Sequence, residues 1–166
     1  FSRLAQKTTR VYEEISAGEP LVCAYLCTLG PAVKGLSKDE LRDLFAERLA
    51  AAREEDLRRE QTTVGPHRDD VTFLIDGRDA RAFGSQGQQR SVALALKMAQ
   101  VELCAEIVGE RPLLLLDDVM SELDLSRREA VTRFVQRGIQ TVITTTNLGY
   151  FSPDLLEAAE VVRFGE

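Results

Sequence analysis

The segment PLLLLDDVMSELD, Pro112 to Asp124, limits the possible folds of this chain more than any other stretch. Four consecutive leucines are explained by a buried strand. The two aspartates that end it are not, because charged groups are rarely left at the edge of an apolar core without a partner. In open α/β sheets, ligands bind outside the carboxyl ends of the strands. Asp117 and Asp118 occupy such an end, so they either meet a cationic ligand or cap the next turn.

The flanking pattern supports the sheet. After Leu113–Leu116 a helix is expected, with Ser126 and Glu129 as a capping box, Ala130, Val131, Phe134 and Val135 as its inner face and Gly138 as its stop. TVITTT follows as a second buried strand, then a short helix near 154–159 and a last strand at 161–164. Strand, helix, strand, helix, strand argues for a parallel sheet in an α/β fold. Upstream, residues 1–18 read as a helix ending at Gly18, and 21–29 as a strand. GPAVKG is a loop, and Ser37 with Glu40 opens a helix reaching about Arg59. Its apolar stripe is Leu41, Leu44, Phe45, Leu49 and Ala52. Gly65 and Pro66 break that helix, and VTFLIDGRDARAFG reads as a hairpin about Asp76-Gly77. SQGQQRSVALALKMAQVELCAEIVG is a helix apolar on most sides, and so expected to be buried, ending at Gly109.

Composition narrows the class. The 166 residues carry 44% hydrophobic and 29% charged side chains, as in a soluble globular protein. No apolar run has the roughly 18 residues of a membrane span. The first residue is Phe1 and no signal-peptide pattern follows it, which fits a fragment of a longer cytoplasmic protein. Three cysteines, Cys23, Cys27 and Cys104, form no CxxC pair and are expected as small buried hydrophobes. A net charge of −6 excludes a surface basic all over, but not a local patch that contacts nucleic acid. Arg53, Arg58, Arg59 and Arg68 form one sequence cluster, and Arg127, Arg128, Arg133 and Arg137 another. Each is either a solvated helix face or part of such a patch.

About 30 residues before the acids, GSQGQQRS places Ser85, Gly87 and Gln88 at a helix N-terminus. Free backbone N–H groups and the helix dipole make such an end a seat for anions. Gly87 lets the backbone approach a phosphate, and the Ser85 hydroxyl adds a hydrogen bond. Ser85 and Gln88 also form a capping box, and the same structure can serve both purposes.

SQGQ resembles the signature motif of ATP-binding-cassette ATPases, SELD resembles their D-loop, and four apolar residues before Asp117-Asp118 follow the Walker B pattern. Together with TVGPHRDDV and GSQGQQRSVALALKMA, LLLLDDVMSELD resembles the RecF family of bacterial recombination mediators over essentially the whole chain. The resemblance implies an α/β fold, the C-terminal half of an ABC-type P-loop ATPase head with part of a helical second lobe. Residues 1–84 would belong to that lobe, and 85–166 to the signature helix and core.

It also implies roles. ATP and Mg²⁺ are the implied cofactors, sandwiched in an ATP-dependent homodimer. Ser85, Gly87 and Gln88 would touch the γ-phosphate bound by the partner subunit. Asp117 would hold Mg²⁺ through water, and Asp118 would take the catalytic-base position. Ser121, Glu122 and Asp124 would cross the dimer interface. Thr145 or Thr146 would stand at the switch position, where related ATPases often carry His. His67 and Arg68 in GPHRDD are family features open to two readings, with Arg68 on phosphate or Asp69 fixing Arg68 in a structural loop. The implied partners are single-stranded DNA, single-strand/duplex junctions, other recombination mediator proteins and a recombinase, in a bacterial cytoplasm. The implied setting is DNA repair, replication-fork maintenance and the SOS response. No GxxxxGK[ST] occurs in the chain, so hydrolysis is not expected of these residues alone. Two other readings stay open: an SMC-type structural ATPase head, and a non-hydrolysing interaction module.

Overall fold

The longest element grows from a strong local signal. Ser85 caps a helix whose interior is rich in Ala, Leu and Gln, and Gly109 ends it in the left-handed conformation at φ 82°. In the computed structural model, which describes residues 1–33 and 35–165, this helix runs over Gln86–Val108. The other elements are α1 (Ser2–Ile15), β1 (Leu21–Leu26), α2 (Lys38–Arg59), β2 (Asp70–Ile75), β3 (Arg78–Asp79) and α3 (Ala80–Phe83). After the signature-type helix α4 come β4 (Leu114–Asp117), α5 (Leu125–Val135), β5 (Thr141–Thr144) and α6 (Pro153–Glu157). Short 3-10 turns cover Pro31–Val33, Val119–Glu122 and Leu148–Tyr150.

Strands β1, β2 and β3 form one sheet in that order, with β2 and β3 antiparallel across the Asp76-Gly77 turn. Strands β4 and β5 pair in parallel, Leu114 opposite Thr141 and Asp117 opposite Thr144. That register places both acids beside the end of β5. It is the parallel strand–helix–strand unit that the sequence pattern implies.

The chain forms two compact units, one of Phe1–Val22 with Phe73–Glu166 and the other of Cys23–Thr72. In the first, α1 packs on α4 and α5 through Val11, Tyr12 and Ile15, which are all but inaccessible to solvent. Val92, Ala95, Met98 and Ala99 of α4, Leu114 and Leu116 of β4, Met120, and Val131 and Phe134 of α5 complete this core. Thr8 and Ser91 are buried polar residues, and each hydroxyl donates to a carbonyl one turn back, Leu4 and Gly87 respectively. Arg3, Lys7 and Arg10 of α1 form a ladder of ion pairs with Glu102 and Glu106 of α4. The outer pairs, with Arg3 and Glu106 about half exposed, set orientation more than stability, while Lys7 and Glu102 are largely covered.

In the second unit, α2 has the expected capping box, with Ser37 accepting from the Glu40 amide and Glu40 accepting from the Ser37 amide. It buries no residue fully; Leu44, Phe45, Leu49 and Ala52 are half-covered, while Leu41 and Leu57 are exposed.

Several expectations are corrected. Asp124, not Ser126, caps α5, because its carboxylate reaches the Arg127 amide at 3.0 Å and Ser126 instead donates to Asp124. Residues 161–164 form no strand, and Phe164 is 93% exposed. The strand at TVITTT is not buried throughout, since only β4 pairs with it among the described residues, leaving Leu115 and Val142 without a facing layer. Helix α4 is buried only in its first half; Ile107 and Val108 reach past the end of α1 into solvent. Cys104 is exposed and Cys23 and Cys27 are half-buried, so their apolar character exceeds their burial.

Candidate functional site

Asp117 and Asp118 sit exposed at the carboxyl end of β4. The parallel register brings Thr144 against both. Its hydroxyl donates to Asp117 Oδ1, and the same oxygen accepts the Asp118 amide at 3.0 Å, shared with the Thr144 carbonyl at 3.2 Å. Asp118 lies in the left-handed region at φ 46°, which Asp tolerates better than most side chains. This turn swings the second carboxylate off the strand axis. Ser121 closes the turn: its hydroxyl lies 2.9 Å from both the carbonyl and Oδ2 of Asp118. Asp117 Oδ2 has no partner among the described residues. No cluster of three or more metal-ligating side chains occurs among them either. One exposed carboxylate with a free oxygen suits Mg²⁺, which keeps most of its waters and needs few protein ligands.

The N-terminus of α4 holds the second set. Ser85 Oγ accepts the Gln88 amide at 3.2 Å and Gln88 Oε1 accepts the Ser85 amide at 2.8 Å, so the capping box is complete. Gln88 Nε2 donates to Glu19 at 2.6 Å, and Glu19 also accepts the buried Tyr12 hydroxyl. Burial and then the Glu19 carboxylate push the Tyr12 phenol far above its ordinary pKa, so it remains a donor. With Gln88 tied down on both sides, the amides of Gln86 and Gly87 stay without a partner among the described residues.

Two glycines here have different reasons to be glycine. A Cβ on Gly84 would lie 2.4 Å from the Ala80 carbonyl oxygen, so the fold itself excludes a side chain there. A Cβ on Gly87 would meet nothing nearer than Arg127 Nη1 at 3.6 Å, an ordinary contact. The subunit's own packing does not require glycine at 87.

Ser121, Glu122 and Asp124 all have partners among the described residues. Ser121 holds Asp118, Glu122 pairs with Arg90 of α4 at 2.8 Å, and Asp124 pairs with Arg127 while capping α5. The Arg127 amide, then the Ser126 hydroxyl and the Arg127 guanidinium, hold the Asp124 carboxyl below its ordinary range. Arg128 donates to the Met120 carbonyl at 2.8 Å and stacks on Tyr150, 4.0 Å from the ring centroid. Thr145 and Thr146 touch neither acid. Thr145 exchanges hydrogen bonds with the Asn147 backbone, and Thr146 is exposed.

GPHRDD belongs to the Cys23–Thr72 unit. Asp69 does not hold Arg68. It accepts the Thr28 amide at 2.7 Å and the hydroxyls of Thr28 and Tyr25, tying the loop to the end of β1. The Thr28 amide chiefly, with Tyr25, holds the Asp69 carboxyl low, and Asp69 pushes the Tyr25 phenol up to about 12. Arg68 donates to the Thr62 carbonyl at 2.8 Å and also to Gln61, while His67 Nε2 lies 3.2 Å from the same carbonyl. Gly65 has φ 138° and packs against the His67 ring, so the loop is internally braced.

Sequence reading missed Thr144, Arg90 and Glu19, and placed Arg127 only in an arginine cluster. Only Thr144 left a signal, since counting a parallel register from the end of β4 finds it. Of the arginine clusters, Arg58 and Arg59 pair with Glu55 and Arg133 with Glu129, the pattern of solvated helix faces, whereas Arg137 ties the end of α5 to Glu14 of α1 and Glu102 of α4.

No family model matches the chain. It is 39% identical over 166 residues to the DNA replication and repair protein RecF of Geobacillus kaustophilus, covering 98% of this chain and 44% of that one. The RecF of Synechocystis is 40% identical over 165 residues, covering 98% and 42%. That of Acaryochloris marina is 56% identical over 99 residues, covering 60% and 26%. A solved structure of the recombination mediator protein RecF with ATP, described in the RecFOR pathway, superposes with a TM-score of 0.71 at 38% identity. The match covers 89% of this chain and 39% of that one. The chain thus spans less than half the length of these relatives.

Proposed function

The chain belongs to the RecF family and has the fold of the C-terminal half of its ABC-type ATPase head, and on that premise we propose that it supplies half of a composite ATP site. In this reading the intact protein binds ATP, dimerises on it and engages single-stranded DNA and single-strand/duplex junctions in replication and recombinational repair. It works there with other mediator proteins and a recombinase. Residues 85–166 supply the signature helix and core, and 1–84 part of the second lobe. The observation that carries the proposal is the glycine at 87, which the subunit's packing does not need, whose own amide and that of Gln86 have no partner among the described residues. A phosphate from outside the subunit accounts for both.

The roles are those the resemblance implies, and the geometry supports them. The amides of Gln86 and Gly87 and the Ser85 hydroxyl receive the γ-phosphate of a nucleotide held by the partner subunit. Asp117, oriented by Thr144, holds Mg²⁺ through water; when bound, that ion offsets phosphate charge. Asp118 takes a proton from the attacking water, with Ser121 fixing its carboxylate. Ser121, Glu122 and Asp124 contact the partner subunit as part of the D-loop, and the segment after β5, including Thr145 and Thr146, occupies the switch position. The loop bracing of His67 and Arg68 supports a structural role for both.

Ser85→Arg in the full-length protein tests the seat. ATP binding by the monomer should persist and the ATP-dependent dimer should be lost in sedimentation velocity. A dimer that still forms with ATP would remove the signature helix from the site. Asp118→Asn should slow hydrolysis and prolong the dimer; unchanged turnover would move the base elsewhere.

A further inference from the structure

We propose that Arg127 and Arg90 are positioning residues that lock the D-loop to the signature helix, so that one subunit presents both to its partner as a single rigid surface. This rests on the composite-site reading above. The observations are independent of it. Arg127 lies on α5, three residues after Asp124, and its guanidinium bonds that carboxylate while Nη1 stands 3.6 Å from where a Cβ on Gly87 would lie. It is 23% exposed, and its Nε is buried without a partner among the described residues. A cation is rarely kept this covered on a helix that could place it in water. Arg90, one turn along α4 from Gly87, makes the second tie, to Glu122 of the D-loop.

The two ties bracket the loop. Asp118 and Ser121 anchor its start, Glu122 is held sideways to α4, and Asp124 is held to the guanidinium that stands beside Gly87. A shift of the D-loop therefore moves Gly87's surroundings, and the reverse. A loop held in its working position loses less freedom on dimerisation, which is how preorganisation strengthens association without new contacts. Arg90 and Glu122 are each about half exposed, so breaking their pair has little effect on folding. That separates positioning from stability.

The test uses the full-length protein and three variants, Arg90→Glu, Glu122→Arg and the double charge swap, with Arg127→Lys as a fourth. Each single variant should keep its melting temperature and its ATP affinity as monomer. Each should raise the protein concentration at the midpoint of ATP-dependent dimerisation roughly tenfold. The swap should dimerise at a clearly lower concentration than Glu122→Arg alone, because both lack the Glu122 carboxylate and only the swap re-makes the tie in reverse. Arg127→Lys should behave as the single variants do, since an ammonium cannot hold the Asp124 carboxylate as a planar fork does. An unchanged or lowered midpoint in the singles overturns the proposal, as does a swap no better than Glu122→Arg alone. Ser85→Arg run beside them separates the causes. If it blocks the dimer while the Arg90 and Glu122 variants are silent, only the bracket fails. If it does not, the composite site fails.

Discussion

Thr144→Val isolates the one side chain that touches both acids. Valine keeps the shape and strand preference of threonine but removes the donor to Asp117 Oδ1 and the acceptor for the Asp118 amide. The amide keeps its second partner, the Thr144 carbonyl at 3.2 Å, so no buried group is orphaned. A hydrogen bond to a charged group contributes about 1.5–3 kcal/mol, and solvent around Asp117 argues for the lower end or less. Unfolding should then shift by about 1 kcal/mol, which is roughly 2–4 °C for a domain of this size. The functional effect is larger, because a freed Asp117 samples rotamers that point away from its ligand. Loss of a residue that orients a metal ligand typically costs about 10–100-fold in affinity or activity. The full-length variant should need correspondingly more Mg²⁺ for half-maximal ATP-dependent dimerisation, read by sedimentation velocity, and Thr144→Ser should need no more than wild type. Equal Mg²⁺ dependence of Thr144→Val and wild type would refute the idea that this hydroxyl sets the carboxylate.

Two further outcomes follow from local geometry. Gly84→Ala should destabilise the fold, since its Cβ would overlap the Ala80 carbonyl. Gly87→Ala should leave thermal stability equal or higher by up to about 1 kcal/mol, yet weaken the ATP-dependent dimer. Asp69 has a folded-state pKa below its unfolded value. It therefore contributes stability above the ordinary carboxylate range, and that contribution is lost as pH falls through the folded value. Asp69→Asn should flatten acid unfolding below the ordinary carboxylate range, followed by circular dichroism, and an unaltered acid limb would contradict this sign.

How much was legible beforehand depended on whether a signal was local. Capping boxes at Ser37 and Ser85 were, because a cap needs only residues three apart. The β4–α5–β5 unit was, because periodicity and breakers mark it. The cap of α5 was misplaced by two residues, as Asp124 and Ser126 are equally good caps by type and only backbone geometry chooses. Strand-like composition at 161–164 failed because β propensity reports a fit to a neighbouring strand, and none pairs there. The ties that organise the site were invisible for a related reason. Arg90 to Glu122, Arg127 to Gly87 and Thr144 to Asp117 join residues 27 to 40 apart in sequence, and only the packed unit makes them neighbours.

The central claim is that the signature helix and the acids of one subunit serve different nucleotides. Mixing two inactive full-length variants tests it directly. Ser85→Arg spoils only the signature seat and Asp118→Asn only the base, so a mixed dimer joins the intact acids of the first to the intact signature helix of the second. Each variant alone should show little ATP turnover, and the mixture should recover part of it, rising with the fraction of mixed dimer. No recovery over any mixing ratio, with mixed dimers present, would mean that Ser85 and Asp118 act on the same nucleotide within one subunit.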